Sequence, residues 1–479
     1  MPATNPKLAF PQTDAIVVGS GPNGLAAAIR MAQAGRSVVV LEGANTPGGG
    51  VRSAELTLPG FIHDICSSVY PLTVCSPFFS TLPLQQHGLE WVFPPTALAH
   101  PFDDGSSATL HTSIEETAAT LGVDGRNYQQ LVQRFLPRWK DLLEDALAPI
   151  RFPKHPFLFA RFGKQAIRSG RGIARAHFRA DHAQAFFAGM AAHSMLPLEF
   201  LSTAGVGLML AILGHAVRWP FVRGGAQQLT NALVSLLQSL GGQIITGCWV
   251  ESLEQLPPAH TVLLDVTPRQ LLTLAGNGLP DSYRRKLERY RYGMGVFKLD
   301  WALHQPIPWR AGECRQAGTI HLGGTLDEIC ESERQSWNGE STACPFVLVA
   351  QPSLFDSTRA PQGKHTAWAY CHVPNGYTGD MTEAIEGQIE RFAPGFRDCI
   401  LARSALSPKD LEKHNPNLVG GDIGGGAAML SQLFLRPTAS LYRTPLNGVY
   451  LCSSSTPPIP GVHGMCGYFA AEAALNSTG

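Results

Sequence analysis

Residues 14–42 read DAIVVGSGPNGLAAAIRMAQAGRSVVVLE, and their pattern decides the fold. Asp14–Val18 is a short apolar run bounded by a turn, as a buried parallel strand requires. Gly19-Ser-Gly-Pro-Asn-Gly24 follows, and Leu25–Gln33 is alanine-rich and helical. Gly35 closes that helix. Ser37–Leu41 is a second strand, ended by Glu42. In this strand–turn–helix context the G-x-G-x-x-G spacing has a physical meaning. Gly19 permits the tight turn, Gly21 lets the backbone approach a pyrophosphate, and Gly24 lets helix and strand pack closely. The helix N-terminus, with Pro22 and Asn23 in the loop that opens it, offers unpaired N–H groups and a positive dipole end to phosphates. Glu42, about 20 residues on, is placed to accept hydrogen bonds from ribose hydroxyls.

That motif alone does not separate NAD from FAD. Two further stretches favour FAD. Pro47-Gly-Gly-Gly50-Val-Arg52-Ser is a second glycine loop directly after Glu42, with Gly48, Gly49 and Gly50 positioned for a diphosphate and Arg52 as a charge partner. Near the far end, Gly448–Thr456 runs as strand and loop into Pro460-Gly-Val-His-Gly-Met465 and a helix beginning at Gly464. This second helix N-terminus suits the pyrimidine side of a flavin, where the reduced ring carries negative charge.

The totals agree with a large, non-nucleic-acid-binding protein. The chain has 479 residues, too many for one core. Lys plus Arg number 37, as do Asp plus Glu, so no basic excess points to nucleic acid. The ten cysteines form no C-x-x-C or C-x-x-x-x-C pair, which argues against a zinc site and a redox disulfide. No metal is expected. Met1–Thr13 lacks the apolar run of a secretory signal, and a cytoplasmic protein, with some membrane association, is expected. Phe200–Val217 is apolar and uncharged; it is read as a buried helix lining an apolar cavity, because it is barely long enough to span a bilayer.

The expected architecture is α/β: a Rossmann-like FAD-binding domain, discontinuous in sequence, with an inserted mixed-sheet and helical substrate domain. The first comprises residues 1–95, 215–275 and 415–479. The second comprises 96–214 and 276–414, with a membrane-facing helical part at 151–217. Strands are read at Gln243–Val250, Thr261–Val266, Tyr292–Trp301 and Pro345–Gln351. Helical periodicity runs from Ile114 to Leu147 and from Gly224 to Leu240.

Several stretches together carry a resemblance: VVGSGPNGLAAAI, LEGANTPGGGVRS, GGAQQLTNALVSLLQSLGGQI, LLDVTP, YGMGVFKLDWAL, NLVGGDIGGGAAML and GVYLCSSSTPPIPGVHGMCGYFAAEAA. The chain resembles the phytoene-desaturase-related (phytoene-dehydrogenase-like) branch of the amine oxidase and carotenoid desaturase superfamily over essentially its whole length. The resemblance implies that Gly19, Gly21, Gly24, Gly48 and Gly49 hold the FAD diphosphate and Glu42 the ribose. It implies that Val250 meets adenine through its backbone. Ser454 falls where many relatives carry an acidic residue near the ribityl chain, and Met465 would give its N–H to the flavin carbonyl. The family's usual Gly-Gly-Arg reads Gly48-Gly-Gly50 here, with the arginine displaced to Arg52.

A flavin supplies the redox chemistry, so few catalytic side chains are expected. Lys298, in the alternating run Val296–Trp301, is one candidate. A similar segment in amine oxidases places a lysine that holds water against flavin N5; its plain alternative is a lysine at a strand edge or paired with Asp300. His463, ahead of the last helix, is the second candidate, able to donate a hydrogen bond or move a proton near neutral pH; its plain alternative is a loop histidine satisfied by backbone. Asp422, in the run Gly420–Gly426, either faces the flavin or makes a turn. The expected substrate is a lipophilic small molecule, carotenoid-, polyene- or lipid-like. The expected activity is desaturation or dehydrogenation with electrons passed to oxygen or a quinone. A redox-neutral double-bond isomerase on reduced FAD, an amine oxidase and an FAD-containing binding or assembly protein are the alternatives. Arg151–Arg179 holds many Arg and Lys, with Phe152, Phe157, Phe159, Phe162, Ile167, Ile173 and Phe178 among them, and no acid. It reads as a peripheral membrane contact, a solvated surface helix pair, or a subunit interface.

Overall fold

The computed structural model describes residues 12–433 and 435–477. Most of the stretch read as lacking a secretory signal, Met1–Pro11, lies outside the described residues. Five parallel strands form one sheet in the order Val449–Leu451, Thr261–Leu264, Ala15–Val18, Val38–Leu41, Gln243–Ile245. Ala15–Val18 and Val38–Leu41 are buried throughout, which is why they read as unbroken apolar runs rather than alternating ones. The strand expected at Gln243–Val250 stops at Ile245, where Gly247 turns the chain at φ +65°. The helix Pro22–Gln33 packs against the closing helix Met465–Leu475. Glycine makes that approach possible: a Cβ on Gly467 would lie 1.8 Å from the Asn23 carbonyl oxygen.

A second sheet has seven strands in the order Ile400–Leu406, Gly295–Leu303, His365–Val373, Val347–Ala350, Ala317–Leu322, Thr96–Pro101, Ser107–Leu110. It is antiparallel except where Ala317–Leu322 runs parallel to Thr96–Pro101. Alternation sorts its side chains. Phe297, Leu299, Trp301, Ile320, Val347, Val349 and Ala369 enter a core on one face. The other face carries two rows across the strands. Thr319, Ala350, Trp368 and Asp300 form one, and His321, Leu348, Tyr370 and Lys298 form the next.

Helices cover that second face. The periodic run Ile114–Leu147 becomes three helices, Ile114–Thr120, Gly125–Val132 and Trp139–Ala146. Gly122, at φ +54°, and Pro137 interrupt it. The apolar run 200–217 supplies a 15-residue buried helix, Thr203–Val217. Among the described residues no helix is long and apolar enough to cross a membrane. The basic stretch forms two helices, Pro156–Ala166 and Gly170–His177. Phe162, Ile173 and Phe178 turn into the core, whereas Phe152 and Phe157 are 84% and 91% exposed. Arg171 and Arg175 are tied to Asp327, and Lys154 to Glu144.

Candidate cofactor and substrate cavity

One cavity of about 1000 Å³ joins the two sheets. It opens at the C-terminal ends of the parallel strands, past Val18, Leu41 and Asp265. Ligands of open α/β sheets bind in that place. It ends on the second sheet at Thr319, Leu348, Trp368 and Tyr370, with His193, Leu210 and Trp219 from the helical layer.

The dinucleotide end fits an extended cofactor through close backbone approach. Gly19, Gly21, Pro22, Asn23, Gly49 and Gly50 line it. A Cβ on Gly21 would meet the Asp265 carboxylate at 2.5 Å, and one on Gly49 would meet the Gly21 backbone at 3.0 Å. The Asn23 side-chain oxygen is buried there with no partner. Gly24 and Gly48 act behind this surface. A Cβ on Gly24 would lie 2.2 Å from the Gly19 carbonyl, and one on Gly48 would lie 2.7 Å from Thr230 and the Val51 carbonyl. They let the loops pack rather than touch a ligand.

Glu42 lines the cavity. Its Oε2 accepts the Ser20 N–H (2.9 Å) and hydroxyl (2.5 Å), and its Oε1 accepts the Ala44 N–H (2.9 Å). A carboxylate offers about four lone-pair sites, so capacity for a ribose hydroxyl remains. Arg52 lines the cavity but gives Nε to the Gly49 carbonyl and NH2 to the His414 carbonyl, each at 2.9 Å. It clamps the glycine loop to the 414–418 segment. Val250 and Ser454 both line the cavity.

Three residues expected at the flavin, His463, Gly464 and Met465, are not among the described residues lining the cavity. His463 is fully buried; its Nε2–H donates to the Ile459 carbonyl (2.8 Å), and its Nδ1 accepts the Met465 N–H (3.0 Å). Burial pushes the ring down to about 4, so it is neutral. Both nitrogens are committed to local backbone, which removes His463 as a proton carrier. The same bond consumes the Met465 N–H that was expected to meet a flavin carbonyl. Gly464 turns at φ +70° beneath Phe79, whose ring a Cβ would meet at 2.4 Å. Its role is the entry to the helix.

Lys298 is 2% exposed and is not among the described residues lining the cavity. Its Nζ donates to Asp300 Oδ2 at 2.5 Å and lies 5.6 Å from the centre of the Trp368 ring. The pair with Asp300 is therefore formed, with His63 Nδ1 3.5 Å beyond on Asp300 Oδ1. Asp422 makes a turn: its two oxygens accept the Gly293 and Gly424 N–H groups, each at 2.7 Å.

The structure adds residues that the sequence reading missed. Asp265 ends its strand inside the cavity, and its Oδ2 accepts the Gly24 N–H at 3.1 Å. Burial, and then the charge of Glu42, push this carboxyl up to about 7, against the bonds from Gly24 and Gly21. Its signal was present as a carboxylate closing the apolar run LLD. Trp368 and Tyr370 form a stacked pair, ring centres 5.9 Å apart and planes 10° apart. The alternation in HTAWAYCHV (365–373) marked them as same-face neighbours. His193 and His321, joined Nε2 to Nε2 at 2.9 Å, are 128 positions apart, and no local pattern connects them. The ten cysteines are free thiols, and among the described residues no three His, Cys, Asp or Glu side chains are grouped to hold a metal.

Known proteins share this organisation. Residues 14–276 match the family model described as FAD dependent oxidoreductase. The rat protein named pyridine nucleotide-disulfide oxidoreductase domain-containing protein 2 is 25% identical, over 96% of this chain and 93% of its own. A phytoene dehydrogenase from Streptomyces griseus is 26% identical over 82% of this chain and 78% of its own. A putrescine oxidase bound to putrescine superposes with a TM-score of 0.61 at 17% identity, covering 97% of this chain and 99% of its own. The family match spans more than half the chain and begins at the strand and glycine loops that build the cavity. The chain belongs to the FAD-dependent oxidoreductases, and its cofactor is FAD.

Proposed function

We propose that the protein removes hydride from a C–H bond of a largely apolar small molecule, as a desaturase or dehydrogenase, and passes the electrons to oxygen or a quinone. The observation that carries this is the far end of the cavity. Leu210, Leu348, Trp219, Trp368 and Tyr370 surround it, and no carboxylate, ammonium or guanidinium joins them among the described residues of the second sheet and helical layer. Bound FAD supplies the hydride acceptor. The chain's own residues do the rest. The glycine loops hold the dinucleotide end, Glu42 faces a ribose, and the aromatic wall excludes water from the substrate. The relatives named for phytoene dehydrogenation support an apolar substrate. The exposed Phe152 and Phe157, flanked by Arg151, Lys154 and Arg161, support delivery of that substrate from a lipid surface.

A second reading, amine oxidation, has one observation in its favour: the stacked Trp368–Tyr370 pair, whose faces suit a cation. Asp300, across the strand from Trp368, is already paired with Lys298 and is not among the described residues lining the cavity, which weighs against it. The test is the absorbance spectrum of the purified protein before and after denaturation, followed by anaerobic additions of polyenes, lipids and amines. Release of free FAD on denaturation, with bleaching by a polyene or lipid, is expected. Bleaching by amines alone would replace desaturation with the second reading. Gly21→Val is expected to yield a folded, colourless protein, and stoichiometric flavin in that variant would refute the site.

A further inference from the structure

The aromatic end of the cavity is apolar in its surface but not in its chemistry. Trp219, Thr319 and Trp368 all line it and are 2%, 3% and 5% exposed. Trp219 Nε1, Trp368 Nε1 and Thr319 Oγ1 have no hydrogen-bond partner. An indole N–H can only donate. A buried donor left unpaired is costly, and native interiors pair such groups with few exceptions. Register sets two of these groups in one row on one face of the sheet, two strands apart: Thr319 pairs with Ala350, which pairs with Trp368.

His193 completes the group from the helical layer. It lines the cavity, and its ring lies 5.8 Å from that of Trp219 in an edge-on arrangement. His321 holds its Nε2 at 2.9 Å, which fixes the ring. Burial pushes His193 down to about 3. The ring is therefore neutral, like the indoles and the threonine. An uncharged cluster rich in donors, set in an apolar wall, complements an uncharged oxygen acceptor.

We propose that this end of the cavity binds its ligand through a neutral carbonyl oxygen, with Trp219, Thr319 and Trp368 as the donors and His193 beside them. The proposal rests on the reading of the cavity as the substrate site of a flavin enzyme, and it narrows the substrate to an apolar molecule bearing a ketone, enone or amide. A hydrocarbon would leave all three donors unpaired. A carboxylate would arrive with an unbalanced charge, because Lys298, behind Trp368, is already paired with Asp300.

The test is calorimetric titration of the FAD-loaded protein with cyclohexanone, cyclohexene and cyclohexanecarboxylate, with flavin content measured on the same samples. Cyclohexanone is expected to bind about tenfold tighter than either of the others. The Trp219→Phe/Trp368→Phe double variant, and separately Thr319→Val, should reduce that preference, weakening cyclohexanone more than cyclohexene. Equal binding of ketone and alkene, tighter binding of the carboxylate, failure of any probe to bind, or a preference that survives in both variants would overturn the proposal. Protein lacking FAD would refute the flavin-enzyme reading instead, and the same titrations on that protein would still report the carbonyl preference.

Discussion

At the scale of single residues, Asp265 couples the cofactor cavity to pH. Its carboxyl is raised from the usual 3.8 to about 7 in the folded chain. The folded state therefore holds this proton more tightly than the unfolded state. The resulting stability is complete below about pH 4 and is lost as pH rises through about 7. The slope between these limits is about 1.4 kcal/mol per pH unit. Asp265→Asn keeps an oxygen for the Gly24 N–H and removes the titration. Urea unfolding of the variant at pH 5 and pH 8 should show that this part of the pH dependence has vanished; an unchanged difference between the two would show that Asp265 does not carry the proton. The carboxylate was legible at the end of an apolar strand. Its burial was not, because burial follows from the glycine loop that folds over it.

At the scale of elements, the strand Gly295–Leu303 shows how alternation can be read correctly and still mislead about role. Positions two apart share a face, which allowed a Lys298–Asp300 pair as the alternative to a lysine at the flavin, and the two are paired. The position of the cavity relative to that face was not in the pattern. The aromatic strand His365–Val373 lies next to it, and Trp368 and Tyr370, not Lys298, form the wall. Lys298→Met should consequently leave Asp300 buried without its ammonium partner, with His63 3.5 Å away, and cost about 3–5 kcal/mol. Lys298→Met/Asp300→Leu should recover most of that loss. Flavin content and the rate of flavin reoxidation by oxygen are expected to be those of the parent in folded protein. A large fall in that rate, with stability intact, would restore Lys298 to a place at the flavin.

At the scale of the whole molecule, the two sheets meet over one cavity and the basic helices lie on the outside of the helical layer. The apolar residues of that segment divide by their place on the helices: Phe162, Ile173 and Phe178 stabilise the core, and Phe152 and Phe157 remain at the surface. A lipid interface accepts exposed aromatics among basic groups, and its electrostatic part is weakened by salt. Cosedimentation with vesicles containing phosphatidylglycerol is expected at low salt and should fall at high salt. Phe152→Ser/Phe157→Ser should lower it about tenfold. Equal sedimentation of parent and double variant would leave these aromatics without a role at lipid.

The sequence by itself determined the cofactor fold, because that part of the protein is local. A strand, a glycine turn, a helix and an acidic residue lie within residues 14–42. Gly19 and Gly35 take positive φ, and Gly21 and Gly24 leave room for the Asp265 carboxylate and the Gly19 carbonyl. Tertiary structure alone decided the substrate end. Trp219, Thr319 and Trp368 come from three separate segments, and His193 meets His321 only because a helix cap lands on a strand far along the chain. It also decided against His463, whose two nitrogens are taken by backbone groups two and four residues away. A histidine beside a glycine turn looks the same in sequence whether it faces a ligand or ties down its own loop. Only the path of the folded chain distinguishes the two.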